Sequence, residues 1–572
     1  MRSWSDATSA ECPSARAGRE TLRWVPVPVA AVVFALLVSV ALAQDPARVP
    51  AVSAQAANVK DHGAIGDGVA DDTAAIQAAL NLGGPVFFPG PVGTVYTYRS
   101  LTLRTGNVLY GSATLRLRAN QNVTANVYSI TASGISRFGI SGLTFDGNKG
   151  QQAGTFTANG ILIRGASDFR IQSTRWIDWH YDAIELTSTG QRLPIDANTP
   201  PDDPSDVIER GVITENIFRA VGRDSDDDRK GAGESYAIQI GSTVANLIVS
   251  NNEIVDCING IIAAAYNRGI MITGNRIVLE QPRRFASSGI GVEQLSKHSV
   301  VANNTVIGAY TVGINVEAAQ HVTVTGNVVN GARYGISAFG STVGGRRVDL
   351  RDIAITGNSV TSVNGPAIRL VKSFNGSITG NVVTGGQFGI QIVDVAGGVV
   401  GGNHISGTGT GIGLSGSSDV TVTGNTVSGT SAEGLHLARG NARVAFFGNV
   451  SVGNRYGFYS EAGQTGVQLA SNTFLRNSTR DVFIMDAGTN GVAVTLGVDS
   501  ANRLQLTENR TTLVGGPLVV GSVLFQALGN QADGTILYCS DCDPLAFRPC
   551  TASGPKTGAF AYRVNGSWKC QG

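Results

Sequence analysis

Charge is scarce in this sequence. Only 15% of its 572 residues are Asp, Glu, Lys or Arg, where about a quarter is usual, and the shortage excludes the composition of coiled coils and long exposed helices. Proline is sparse too, at 18 residues, and glycine does not recur at every third position, which excludes a collagen-like helix. A hydrophobic content of 42% is too high for a disordered chain. The excess is in glycine, 74 residues or about 13%, against a usual ~7%. Together these predict a folded, β-rich chain, either several domains or one long repetitive domain.

Long apolar runs are absent after residue 43. Before it, Arg2, Arg16, Arg19 and Arg23 precede the uncharged stretch Val29 to Ala43, which ends in Ala41-Leu42-Ala43. This reads as a signal peptide cut before Gln44, followed by a linker over 44–57. Fifteen apolar residues fall short of the ~20 that span a bilayer. The expectation is a secreted or extracytoplasmic protein with no membrane association after cleavage. Removing 1–43 leaves 39 residues of each sign, and a net charge of zero argues against a nucleic-acid partner.

Cysteine is rare and unevenly placed. Cys12 leaves with the signal peptide, and Cys257, in Ile-Val-Asp-Cys-Ile, reads as a small buried apolar residue. Cys539, Cys542, Cys550 and Cys570 crowd into the last 34 residues as C-x2-C-x7-C-x19-C. Four thiolates around zinc fit that spacing, but in an exported protein two disulfides fit it better, with the pairing left open. Residues 535–572 are therefore read as a small Cys-rich tail module, joined through a cap or linker over 501–534.

A column of asparagines runs through the middle of the chain. Asn252, Asn275, Asn304, Asn327, Asn358, Asn381, Asn403, Asn425, Asn449 and Asn472 recur in contexts such as VTGN-x-V, spaced by 23, 29, 23, 31, 23, 22, 22, 24 and 23 residues. A period of 22–24 in a β-rich chain predicts a solenoid. Each repeat carries a short V-x-V-T-G-N strand and a second strand opened by Gly-Ile, as at Gly289-Ile290, Gly313-Ile314, Gly389-Ile390 and Gly411-Ile412. Apolar residues alternate with period two, so one face of each strand points inward. The short returns lack the Leu framework of leucine-rich repeats. The prediction is an all-β, single-stranded right-handed parallel β-helix over 58–500, with the asparagines stacked at one turn of successive coils.

Near the start of this region lie Val59-Lys-Asp-His-Gly-Ala-Ile-Gly-Asp-Gly-Val-Ala-Asp-Asp-Thr-Ala-Ala-Ile-Gln-Ala-Ala-Leu80 and then Val86-Phe-Phe-Pro-Gly90. Asp71 or Asp72 is placed to cap a helix whose Ile76, Ala79 and Leu80 share a face, stopped by Gly83, and such a helix would plug the open end of the solenoid. Capping and turn formation account for Asp67, Asp71 and Asp72 without a metal. The segment resembles the amino-terminal signature of the pectate lyase superfamily, the rhamnogalacturonase- or epimerase-like proteins related to polygalacturonases. The resemblance implies a pectin lyase-like solenoid with an N-terminal capping helix, secreted and acting on or binding acidic or complex polysaccharides by hydrolysis, β-elimination or epimerisation. The polygalacturonase motifs Asn-Thr-Asp, Gly-His-Gly and Arg-Ile-Lys are missing, so no catalytic role is carried over from them.

Two groups of residues are candidates for chemistry. Aligning the Gly-Ile repeats puts Glu293 and Glu317 on the outer face in adjacent coils, ~5 Å apart, where mutual repulsion raises one pKa or recruits a cation. Arg369, Lys372, Gln391, Asp394, His436 and Arg439 continue along that face, a stripe suited to a uronate chain or to an ordinary soluble surface. The second group is Trp176-Ile-Asp178-Trp179-His180-Tyr181-Asp182-Ala-Ile-Glu185. Here Asp182 and Glu185 are candidates for acid and base, and Trp179, His180 and Tyr181 for sugar contacts, with core packing as the competing reading. In the acidic insertion that follows, Asp224 and Asp226 are the candidate calcium ligands. No cofactor is required, and calcium is the candidate ion for this insertion. The functional expectation is glycosidic bond cleavage in a polysaccharide, with a non-catalytic glycan-binding or tailspike-like protein and an epimerase as alternatives. Oligomeric state is not legible.

Overall fold

The computed structural model describes residues 56–485 except 155, 189–206, 223–234, 282–285 and 362–363, together with the strand segments 492–495, 522–523, 536–539, 548–549, 559–564 and 567–571. The segment read as signal peptide, most of the linker, the calcium candidates Asp224 and Asp226, and the pairing of Cys539, Cys542, Cys550 and Cys570 lie outside the described residues.

Alternation of apolar side chains folds the chain into coils of three short strands. One coil contains Ser288–Glu293, Lys297–Ala302 and Thr305–Gly308, and the next contains Val312–Glu317, Gln320–Thr325 and Val328–Asn330. Each strand pairs in parallel with its counterpart one coil on, with Ile290 opposite Ile314, Val301 opposite Val324 and Val306 opposite Val329. Two of the three strand runs join into a 31-stranded sheet, and the third forms a 16-stranded sheet. Their inward side chains make one continuous core from Val59 to Ile484, which includes Cys257. The longer spacing between Asn327 and Asn358 is an antiparallel hairpin, Ser341–Val343 with Arg346–Val348, grafted onto a coil.

The asparagine column is a hydrogen-bonded ladder. From Asn216 to Asn449, each Nδ2 donates to the Oδ1 of the next asparagine at 2.8–3.0 Å, and each backbone N–H donates to the same oxygen at 2.9–3.0 Å. The second Nδ2 hydrogen goes to a strand carbonyl, such as Val301 O for Asn327, at 2.9 Å. Thr174 takes the asparagine's place one coil before Asn216.

The Gly-Ile motif has a steric cause. A Cβ on Gly313 would lie 2.4 Å from Val329 Cγ1, and one on Gly389 would lie 2.4 Å from Ile405 Cγ2, because the backbone there lies close against side chains of the 16-stranded sheet. At the N-terminal end, α1 (Thr73–Asn81) buries Ile76, Ala79 and Leu80 in the core. Asp72 is its N-cap by position, but its carboxylate accepts from the amides of Ile65 and Thr97, at 2.6 and 3.2 Å, and Asp71 Oδ1 accepts from the amide of Thr73 at 3.2 Å. Gly83, at φ +70°, follows the helix and donates to Leu80 O at 3.0 Å. The last strands, Ser522–Val523, Ile536–Cys539, Arg548–Pro549, Ala559–Val564 and Ser567–Gln571, form a separate, mainly antiparallel sheet.

Candidate functional site

The outer face of the first strand run is a set of straight rows, one residue per coil. Register places Leu162, Glu185, Gln239, Ile262, Gly291, Asn315, Ser337, Arg369, Gln391, Gly413, His436, Tyr459 and Phe483 in a single row. Glu293, Glu317, Phe339, Val371 and Val393 form the neighbouring row. The sheet therefore gathers Glu185, Glu293, Glu317, Arg369 and His436 onto one face. Lys372 stands apart, at a left-handed corner with φ 54°, as does Asp394 at 53°.

Glu293 and Glu317 face each other across adjacent strands. The Glu293 carboxylate lies over Gly291, since a Cβ there would meet Glu293 Oε1 at 2.8 Å and Ile262 Cδ1 at 2.5 Å. Asn315 Nδ2 donates to Glu293 Oε1 at 2.8 Å. Burial pushes the Glu293 carboxyl up to about 7, the Asn315 hydrogen bond opposes the rise, and the charge of Glu317 adds to it. Farther along the face, the Arg369 guanidinium lies 6.0 Å from the ring centres of both Tyr334 and Phe339, with Nε buried and without a hydrogen-bond acceptor. Among the described residues it has no ion pair. A carboxyl that exchanges its proton near neutrality thus shares a face with a guanidinium that lacks an anion.

Glu185 has a different setting. It is hydrogen-bonded to Tyr128 and close to Arg164; burial raises its carboxyl, and those two groups oppose the rise. The Tyr128 hydroxyl is raised by its own burial and then by Glu185. Arg164 Nε is buried without an acceptor. The sequence reading missed Tyr128 and Arg164, although Arg164 follows Gly160-Ile161 at the same offset as Glu293 follows Gly289-Ile290.

Trp176, Trp179, His180 and Asp182 are buried, which corrects the reading of Trp179 and His180 as sugar contacts and of Asp182 as an exposed acid or base, while Asp178 is exposed. Trp179 is fully buried, 6.1 Å from Trp176, which itself stacks on Phe145 at 4.4 Å. His180 is buried and Tyr181 half-buried. Asp182 is 0% exposed, and its Oδ1 accepts from the Tyr236 amide at 2.6 Å, so it fastens one coil to the next rather than facing solvent. The cause is register: Glu185 falls in the outer row, while Asp182 falls three residues earlier, where Asn159 and Asn259 make the same kind of inter-coil bond. Among the described residues no group of three or more His, Cys, Asp or Glu is placed to hold a metal ion.

The family profile for the right-handed beta helix region matches residues 159–351 and 312–474, together more than half of the sequence. The chain belongs to the right-handed β-helix family. It is 39% identical over 114 residues to mannuronan C5-epimerase AlgE5 of Azotobacter vinelandii, a match spanning 17% of this chain and 11% of that protein. It is 27% identical over 394 residues to the preneck appendage protein of Bacillus phage PZA, spanning 59% of this chain and 43% of that protein. The chain thus spans less than half the length of either curated relative. Among solved structures, the Streptococcus pneumoniae surface protein and adhesin PfbA aligns with 68% of this chain and 100% of its own at 14% identity and a TM-score of 0.47. At that identity and TM-score no residue role is carried across. Among the described residues no helix is long and apolar enough to cross a membrane.

Proposed function

We propose that this β-helix acts on an acidic polysaccharide laid along the outer face of its first strand run, and cleaves a glycosidic bond with Glu293 as the proton-carrying group. The observation that carries the reading is the Glu293 carboxyl, pushed up to about 7 over Gly291, hydrogen-bonded by Asn315 and opposite Glu317. A group with such a pKa both gives and takes a proton near neutral pH. In hydrolysis Glu293 protonates the glycosidic oxygen, with Glu317 as the second carboxylate. In β-elimination ionised Glu293 takes the C5 proton as the C4–O bond breaks to leave an unsaturated uronate, and the leaving oxygen takes a proton from water. The Arg369 guanidinium, three strand spacings or ~14 Å along the row, pairs with the carboxylate of a uronate farther along the polymer. Glu185 with Tyr128 and Arg164 is a second acid–base group on the same face. Export through residues 1–43 would bring the protein to such a polymer.

The test is a panel of polygalacturonate, alginate and neutral glucans, with and without calcium. Absorbance of unsaturated uronate identifies a lyase, and new reducing ends without it identify a hydrolase. Glu293→Gln should abolish turnover with the fold intact. Binding without either product, in every polymer, would leave a non-catalytic glycan-binding protein. An epimerase is the second reading, favoured by the 39% identity over 114 residues to a protein named as a mannuronan C5-epimerase. It would change the sugar composition of the polymer, read by proton NMR, without shortening it.

A further inference from the structure

The same face ends in a second cluster that the acid–base reading leaves unused. His436, Tyr459 and Phe483 occupy successive places in the outer row, and Glu433, Tyr456 and Arg480 do so in the row beside it. Tyr459 stacks on Phe483 at 5.1 Å and Tyr456 meets Tyr459 at 5.2 Å, so three half-buried rings form one platform. Tyr459 also meets the edge of His436 at 5.4 Å.

The polar groups around this platform are unequally satisfied. Glu433 accepts the Thr410 hydroxyl at 2.9 Å, and Glu461 lies 3.7 Å from Arg439. Arg480 sits over Phe483, 4.9 Å from the ring centre, and its Nη1 is buried with no acceptor. His436 Nε2 is likewise buried without a hydrogen bond, 3.5 Å from Glu461 Oε1. Among the described residues Arg480 has no ion pair. The carboxylates and the imidazole pair with one another, His436 Nδ1 lying 3.9 Å from Glu433 Oε2, whereas among the described residues the Arg480 guanidinium has no carboxylate of its own. Aromatic faces suit the C–H face of a pyranose, and an unpaired guanidinium suits a carboxylate.

We infer that these last coils form a second binding site for one uronate residue, with its ring on Tyr459 and Phe483, its carboxylate on Arg480 and a hydroxyl on His436. The inference rests on the reading of the substrate as an acidic polysaccharide, and extends it to a polymer held at two places. From Asn315, beside Glu293, to Tyr459 the row advances six strand spacings, ~29 Å. One strand spacing is close to the length of one sugar, so an octamer bridges the two sites and a trimer does not.

Isothermal titration of the full chain with trimers and octamers of galacturonate and of mannuronate tests this. Wild type should bind the octamer roughly a hundredfold more tightly than the trimer of the same sugar, as expected when one ligand spans two sites. Tyr459→Ala and Arg480→Gln, each checked for an unchanged melting transition, should bring the octamer to within about threefold of the trimer. Octamer binding that is equally tight in wild type and in a folded variant overturns the second site and leaves the Glu293 reading standing. So does a wild type that binds octamer and trimer alike. Turnover that survives Glu293→Gln overturns the cleavage reading alone, and a chain that binds neither sugar at any length overturns both.

Discussion

Glu293 holds its proton to about 7 because ionisation there must be made beside the apolar side chain of Ile262 and against the charge of Glu317. The unfolded chain has no such obstacle and ionises near 4.5. Between those values the folded state binds more protons than the unfolded one, so the contribution of Glu293 to stability falls as pH rises through this window. The full change is of order 3 kcal/mol. Glu293→Gln should therefore raise the melting temperature at pH 8 relative to wild type and do so much less at pH 4.5, while abolishing turnover; an equal change at both pH values would show that burial of the charge is not the cause. Glu317→Gln removes one cause of the rise and should move the titration of Glu293 downward, read by carbon NMR of the labelled carboxyl. The pairing of Glu293 with Glu317 was legible because both follow Gly-Ile at a fixed offset, and register carries that offset from coil to coil. Trp179 and Asp182 were not legible in the same way, because that stretch has no regular Gly-Ile frame and residue type alone does not say which side of a strand faces out.

Elements in this fold are short, and their turns hold them. Asn327 donates to Val301 O, Thr325 O and Asn358 Oδ1, and its own Oδ1 accepts twice from Asn304. Asn327→Ala would leave the buried Asn304 amide and its Nδ2 without their acceptor and take one donor from Val301 O, at a cost of about 2–4 kcal/mol. Asn472, half-buried at the end of the ladder, should cost about 1 kcal/mol or less when changed to Ala, and denaturant unfolding of the two variants measures the contrast. Gly389→Ala should also destabilise, by about 1–3 kcal/mol, because its Cβ would meet Ile405 Cγ2 at 2.4 Å and Gly411 O at 2.7 Å. The asparagine column could be read from spacing alone, since only a stacked turn repeats one residue type at 22–24 residues. The reason for the Gly-Ile pattern could not, because close approach to the facing sheet is a property of the coil's cross-section. Tyr459 escaped notice for a related reason: its coil reads Gly457-Phe458-Tyr459, with Phe in place of the usual Ile.

A solenoid distributes stability along its axis, because each coil contacts only its neighbours. The N-terminal end is where that arrangement leaves a core exposed, and α1 closes it with Ile76, Ala79 and Leu80, all 0% exposed. Leu80 also presents its carbonyl to Asn107 Nδ2 at 3.2 Å, which ties the helix to a neighbouring coil. Leu80→Asp would place an unpaired charge in that seal, and either the charge or the loss of packing costs several kcal/mol locally. In a globular core such a change lowers the protection of the whole domain together. Here the loss should stay near its origin: amides around Val86 and Leu109 should exchange much faster, while those around Val322 and Val324, many coils away, keep their wild-type protection. Hydrogen exchange followed by mass spectrometry on intact protein distinguishes these outcomes. A uniform loss from residue 86 to residue 470 would mean that the coils unfold as a single cooperative unit, and that nearest-neighbour stacking is not what sets stability along this helix.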